Sequence, residues 1–206
     1  MERILCVLIG YICGLFQTSY LYGKVHGIDI RNYGSGNAGT TNALRTLGAK
    51  AGAITLLGDC FKCVIAVVIV HLIFGKSHPE MIRLLGMYAA AGTILGHNFP
   101  FYLNFKGGKG IATTAAAMMA FDWRIGLCCF IIFVTVTAVT KYVSLASILL
   151  SAGIVVEILI FHPGRWDLFA MCVLYAFFAI YRHRANIGRL LSGTESKIGQ
   201  KVNVNK

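Results

Sequence analysis

Two loops gather the residue types that hold anions. The first runs Gly34-Ser-Gly-Asn-Ala-Gly-Thr-Thr-Asn-Ala-Leu-Arg45. Its three glycines let the backbone turn N–H groups inward as an anion nest, and Ser35, Asn37, Thr40 and Thr41 add hydroxyl and amide donors. Thr41 or Asn42 is placed to cap a helix whose positive end faces the same anion, with Arg45 one turn in. So many small donors beside a guanidinium describe a phosphate cradle rather than a generic turn. The second loop runs Gly96-His-Asn-Phe-Pro-Phe-Tyr-Leu-Asn-Phe-Lys-Gly-Gly-Lys-Gly110 and continues Ile-Ala-Thr-Thr. Lys106 and Lys109 flank Gly107 and Gly108, and a helix starting near Ile111 presents further N–H groups. A nucleoside-triphosphate loop needs Gly-Lys followed at once by Ser or Thr. Gly110 follows Lys109 here, which excludes that class.

A third polar segment starts at Arg182-His-Arg-Ala-Asn-Ile-Gly-Arg and reaches Lys197. Ile187, Leu190 and Leu191 share one helical face, suited to the lipid headgroup layer. His183 and Asn186, three apart, point at one ligand. Asp59 and Lys62 are spaced as partners inside an apolar run, where ionisable groups face each other or a polar cavity, and both roles stay open. Glu157 lies in another apolar run with no role assigned. Cys60 and Cys63 have redox spacing, but their apolar context argues against that chemistry, and the seven cysteines as a set do not form a secreted disulfide framework. His162 and Asp167 fit a His-x-x-x-x-Asp acyltransferase pattern without the rest of such a site, which marks a chance match.

These loops punctuate a chain of 206 residues that is 57% hydrophobic and 13% charged, with mean hydropathy +0.70. Soluble domains carry about 25% charged residues, so the composition describes one integral membrane domain over residues 1–206. The expected class is all-α, with about seven transmembrane helices: Arg3 to Tyr22, Ala51 to Phe74, Met81 to Gly96, Ile111 to Phe121, Ile125 to Thr140, Ser144 to Phe161 and Trp166 to Tyr181. Ile111 to Phe121 is far shorter than the roughly 20 residues of a crossing, and whether it spans fully stays open. Of the 19 Lys and Arg residues, thirteen lie in Gly23–Lys50, His97–Gly110, Lys141–Val143 and the tail from Arg182. The positive-inside rule then puts the N-terminus outside and the C-terminus in the cytoplasm, with every complex polar loop facing cytoplasm. The net charge of +11 follows from these loops, so no nucleic-acid partner is expected.

Together the three segments resemble the bacterial acyl-phosphate:glycerol-3-phosphate acyltransferases, small membrane enzymes of phosphatidic acid synthesis. Lys141-Tyr-Val-Ser144 resembles the stretch that contributes their site serine; Thr40 stands where Ala is common and Ile111 where Val is usual. The resemblance implies transfer of a fatty acyl group from acyl phosphate to glycerol 3-phosphate, giving 1-acylglycerol 3-phosphate and phosphate. Ser35, Asn37, Gly39, Thr41, Asn42, Gly107 and Gly108 would hold the acyl phosphate and the developing oxyanion. Arg45, Lys106, Lys109, Ser144, His183 and Asn186 would hold glycerol 3-phosphate. Ser35, His97 and His183 are the catalytic candidates, with the base being His97, His183 or, as favoured here, the acceptor's own phosphate. No metal or cofactor is expected, and the chain should act as a monomer among membrane lipids of the bacterial cytoplasmic membrane. A transporter of phosphorylated solutes is the alternative, since broken helices with N-termini at anions occur there too.

Overall fold

A computed structural model describes residues 1–200, so Lys201 and Lys206, two of the six tail cations, lie outside the described residues. Among the described residues ten α-helices follow one another: α1 (Glu2–Gly14), α2 (Thr18–Val25), α3 (Thr40–Leu47), α4 (Ala49–Phe74), α5 (Ile82–Asn98), α6 (Ile111–Phe121), α7 (Trp123–Thr140), α8 (Val143–Phe161), α9 (Trp166–Arg182) and α10 (Arg184–Leu191). Four stretches among the described residues are long and apolar enough to cross a bilayer: Glu2–Val25, Ala49–Phe74, Trp123–Thr140 and Val143–Phe161. At 1.5 Å per residue α5 and α9, 17 residues each, reach about 25 Å and α6, at 11, about 16 Å, against a hydrocarbon core of about 30 Å.

Burial along α4 shows how such a helix works. Ala51, Thr55, Asp59, Lys62, Ala66 and Val70 are buried at helical spacing, while Leu56, Leu57, Phe61, Ile65 and Leu72 are exposed. An exposed face made of large apolar side chains suits lipid, and the polar residues turn inward where neighbouring helices can pair them. The main core joins Met87, Ile94, Met118, Ile125, Leu150, Ile154, Leu168 and Tyr175, drawn from α5 through α9. Glu157 is buried in α8 beside the Cys129 thiol. All seven cysteines are free thiols.

The expected first span is interrupted. α1 stops at Gly14 and α2 begins at Thr18, and up to the break α1 is pressed backbone to backbone on α5. A Cβ at Gly10 would lie 1.9 Å from the Ala89 carbonyl oxygen, and one at Gly92 2.1 Å from that of Val7. Small residues at this spacing on both helices allow contact that any larger side chain would break. Where the seam ends, buried Gln17 places its amide nitrogen 3.2 Å from the Gly14 carbonyl, 3.2 Å from that of Gly96 and 3.1 Å from that of His97. The break releases the Phe16 carbonyl, which accepts a hydrogen bond from Lys62 Nζ at 2.8 Å. Hydropathy sees one apolar run; tertiary hydrogen bonds divide it.

The four loops expected on one side meet at one end of the bundle. Arg31 donates to the Leu103 carbonyl, Arg182 to those of Gly107 and Gly108, Arg45 to that of Ser196, and the Ile198 N–H to that of Lys141.

Candidate active site

The first loop is held by its own asparagine. Buried Asn42 donates through Nδ2 to the Ile30 and Tyr33 carbonyls, both at 3.1 Å, and accepts the Ser35 N–H through Oδ1 at 3.0 Å. Its polar atoms are therefore occupied within the loop, and Asn42 shapes the cradle instead of offering donors to a ligand. α3 starts at Thr40 with Gly39 as its N-cap, earlier than the expected cap at Thr41 or Asn42, and no side chain closes its first turn. Ser35 is exposed, Asn37 and Thr41 half-buried and Gly39 buried.

The second loop also differs from expectation. The N–H groups of Gly107 and Gly108 donate to the Asn98 and His97 carbonyls at 3.2 and 3.0 Å, so they are not free for an anion. These glycines serve close approach. A Cβ at Gly107 would lie 2.0 Å from the His97 carbonyl oxygen, and one at Gly108 2.0 Å from His97 Nε2 and 2.8 Å from the Ala38 carbonyl oxygen. The second loop thus lies directly against the residues that precede α3. The Arg182 guanidinium pins it, with Nε and Nη2 each 3.0 Å from the Gly108 and Gly107 carbonyls. Gly110 then adopts φ +76° to start α6, whose first turn has no side-chain cap. Two uncapped helix N-termini, those of α3 and α6, begin on either side of this contact, and both favour negative charge.

The cations gather beside them. Lys109 Nζ donates to Asn186 Oδ1, Asn186 Nδ2 donates to Glu195 Oε1 at 2.7 Å, and Arg189 Nε pairs with Glu195 Oε2 at 2.7 Å. Arg45 reaches the Ser196 carbonyl at 2.9 Å, while its Nε is buried without a partner among the described residues. Ser144 stands by Glu195 with its hydroxyl buried and unpaired among the described residues. Burial, then the crowding of the Arg189, Arg182 and Arg45 guanidiniums, brings the Lys109 ammonium down to about 8 despite Glu195. Burial, then the Lys109 charge, brings the His183 ring down to about 4. His183 Nδ1 lies 2.7 Å from the Ala179 carbonyl. A carbonyl only accepts, so Nδ1 carries the proton and Nε2 the lone pair. One carboxylate among several cations, with unpaired donors nearby, is a place prepared for an anion.

Arg45, Lys109, Ser144, His183 and Asn186 are thus brought together, while Lys106 stays exposed outside the cluster. Glu195 was not foreseen. The signal available was its standing as the lone acid in a basic tail.

A buried polar group backs the second loop. Lys62 Nζ lies 2.7 Å from His97 Nδ1 and 2.9 Å from Asp59 Oδ1, and the Asp59 contact is an ion pair rather than a straight hydrogen bond. The His162–Asp167 match dissolves: Asp167 pairs with Arg165 at 2.7 Å, and His162 Nε2 with Asp122 Oδ2 at 2.8 Å.

The glycerol-3-phosphate acyltransferase family model matches residues 4–193. The chain belongs to this family. Among its relatives, the glycerol-3-phosphate acyltransferase of Clostridioides difficile (strain 630) is 45% identical over 96% of both chains. That of Thermoanaerobacter sp. (strain X514) is 43% identical over 99% of this chain and 100% of its own. The fold superposes on PlsY (YgiH), an integral membrane glycerol 3-phosphate acyltransferase solved in a glycerol 3-phosphate form, with TM-score 0.86 and 31% identity over 97% of this chain and 96% of that one. A lysophosphatidic acid form of PlsY gives TM-score 0.83 at 30% identity over 97% of each chain. As a family member this chain is a multi-pass integral membrane acyltransferase. The family match contains every expected site residue from Ser35 to Asn186 and ends just before Glu195.

Proposed function

We propose that this chain transfers a fatty acyl group from acyl phosphate to the 1-hydroxyl of glycerol 3-phosphate, giving lysophosphatidic acid and inorganic phosphate. The observation that carries this is the adjacency of two anion-seeking places at one end of a lipid-facing bundle. The α3 and α6 N-termini suit the phosphate of a lipid donor, and the Arg45–Lys109–Asn186 cluster suits a small phosphorylated acceptor. Ser35, Asn37, Gly39 and Thr41 hold the donor phosphate. Arg45, Lys109, Ser144, His183 and Asn186 hold the acceptor.

The acceptor oxygen bonds to the acyl carbon, the bond from that carbon to the phosphate oxygen breaks, and phosphate leaves with the electron pair. Donors fixed beforehand stabilise the oxyanion between those events. The hydroxyl proton passes to the acceptor's own phosphate; in the free protein, burial and the Lys109 charge leave the His183 ring a weak base. Phosphate is already a good leaving group, so the reaction calls for no cofactor.

The four polar loops carry most of the basic residues, which supports seven crossings with the N-terminus outside and the site at the cytoplasmic face of the bacterial inner membrane. The chain carries its whole site and works as a monomer. Phosphate release from acyl phosphate by the purified protein tests the reading. Release that depends on glycerol 3-phosphate and yields the monoacyl product is expected, and release indifferent to the acceptor, or none, overturns it.

A further inference from the structure

The buried Asp59–Lys62 pair lies behind the second loop and touches none of the residues assigned to either substrate. We infer that this pair sets the proton position on His97, so that His97 acts in the transfer as a hydrogen-bond donor from Nε2 and not as the base, with Asp59 and Lys62 as positioning residues. The proton position stands on the protein's own geometry; the use made of it rests on the proposed acyl transfer.

Lys62 Nζ lies 2.7 Å from His97 Nδ1, 2.8 Å from the Phe16 carbonyl and 2.9 Å from Asp59 Oδ1. An ammonium has three N–H donors and no lone pair, and it meets three groups here. Its ion pair with the Asp59 carboxylate holds the lysine as ammonium, and the Phe16 carbonyl takes one of its hydrogens. His97 Nδ1 must then supply a lone pair, and a neutral imidazole that accepts at Nδ1 carries its hydrogen at Nε2. A second ring proton would set one cation against another in a site where both side chains are only 4% exposed. Among the described residues Asp59 Oδ1, 3.6 Å from Nδ1, is the acidic atom facing the ring, and Lys62 stands nearer to both. Arg182, on the loop side, adds positive charge.

Nε2 points the other way. It lies against Gly108, where the second loop meets the approach to α3, and the ring's hydrogen bond among the described residues is the one at Nδ1. An unpaired donor between the two helix N-termini is placed to meet the leaving phosphate or the carbonyl oxygen as charge develops. His183 is the converse, with its proton at Nδ1 and its lone pair at Nε2.

The test is the 15N spectrum of histidine-labelled, substrate-free protein, with the His97 signals assigned by their loss in His97→Gln. Wild type should show an unprotonated Nδ1 and a protonated Nε2, and Lys62→Met should move the proton towards Nδ1. Because Lys62→Met leaves Asp59 without its partner, Asp59→Asn/Lys62→Met is measured beside it as a neutral, foldable pair. A wild-type ring protonated at Nδ1, or a pattern unchanged in the double variant, overturns the inference. In turnover, Gln supplies a donor near the Nε2 position but no base: His97→Gln should fall by about tenfold or less and keep the pH profile, and His97→Leu should fall about a hundredfold. Equal loss in both, or a missing acid limb in His97→Gln, overturns it. If the wild type releases no phosphate in response to glycerol 3-phosphate, the proposed function fails, and the spectrum alone decides the proton position.

Discussion

Two clusters of an aspartate, a cation and a histidine stand at opposite ends of the bundle, and they are wired in opposite order. Beside the anion loops, Lys62 is the hub: it touches Asp59 and His97, which are themselves 3.6 Å apart. At the far end, Asp122 is the hub. It accepts from the Arg124 Nη2 at 2.7 Å and from His162 Nε2 at 2.8 Å, and it caps α7 by accepting the Arg124 N–H. A hub that only donates makes its histidine accept; a hub that only accepts makes its histidine donate to it. The far cluster has the aspartate–histidine contact that a search for catalytic pairs would select, yet among the described residues no anion cradle adjoins it. Residue types alone do not distinguish the two; the hub and the neighbouring backbone do.

Breaking the hub at the anion end should give the largest effect. Lys62→Ala leaves Asp59 buried without its counter-charge, a loss of about 3–5 kcal/mol. It should appear as a sharply lower unfolding temperature in detergent, and Asp59→Asn/Lys62→Ala should recover most of it. An equal fall in both variants would mean that packing, not charge, is what Lys62 supplies.

Next come the cations proposed to hold the acceptor. Arg45→Ala and Lys109→Ala should each lower kcat/KM for glycerol 3-phosphate about ten- to hundredfold, as charge-assisted contacts worth roughly 1.5–3 kcal/mol imply, with little change in unfolding temperature. Lys109 adds a pH test. With its ammonium down to about 8 in the free protein, it is charged below that pH and neutral above. Acceptor binding should therefore be full at lower pH and decline as pH rises through about 8. Lys109→Arg should recover activity only in part and should shift that alkaline limb upward, because a guanidinium does not titrate there. A limb that stays in place assigns it to another group.

At the far end the effects should shrink. The Arg124 side chain, then the Arg124 N–H and His162, holds the Asp122 carboxyl well below the usual range. Asp122→Asn should cost about 1 kcal/mol, as for a lost helix cap, with glycerol 3-phosphate turnover nearly unchanged. His162→Ala and Asp167→Ala should retain most activity, read as phosphate release. Collapse of turnover in any of these three in a folded protein would erase the functional distinction between the ends.

The apolar runs, and the short helix from Ile111 to Phe121, were legible because burial in lipid is written in composition. Arg45, Lys109, Ser144, His183 and Asn186 were legible as anion-binding types, and the fold brings them together. What escaped depends on contacts remote in sequence. Gln17 splits the first run by bonding to carbonyls on α5, and the Gly107 and Gly108 N–H groups are taken by His97 and Asn98. Asn42 reads as one more donor until its partners at Ile30 and Tyr33 are seen. Glu195 reads as a surface charge because nothing local tells that Asn186 and Arg189 fold back onto it.

The interruption between α1 and α2 also bears on how the chain enters the membrane. Gln17 is synthesised first, and a carbonyl that completes its pairing belongs to Gly96, 79 residues later. The Phe16 carbonyl waits likewise for Lys62, 46 residues on. Polar groups without partners are costly in hydrocarbon, so this segment stays at the water interface until α4 and α5 arrive. Insertion of the first segment is completed only when α5 arrives, so the amino-terminal part settles after α4, the helix that follows it in the chain.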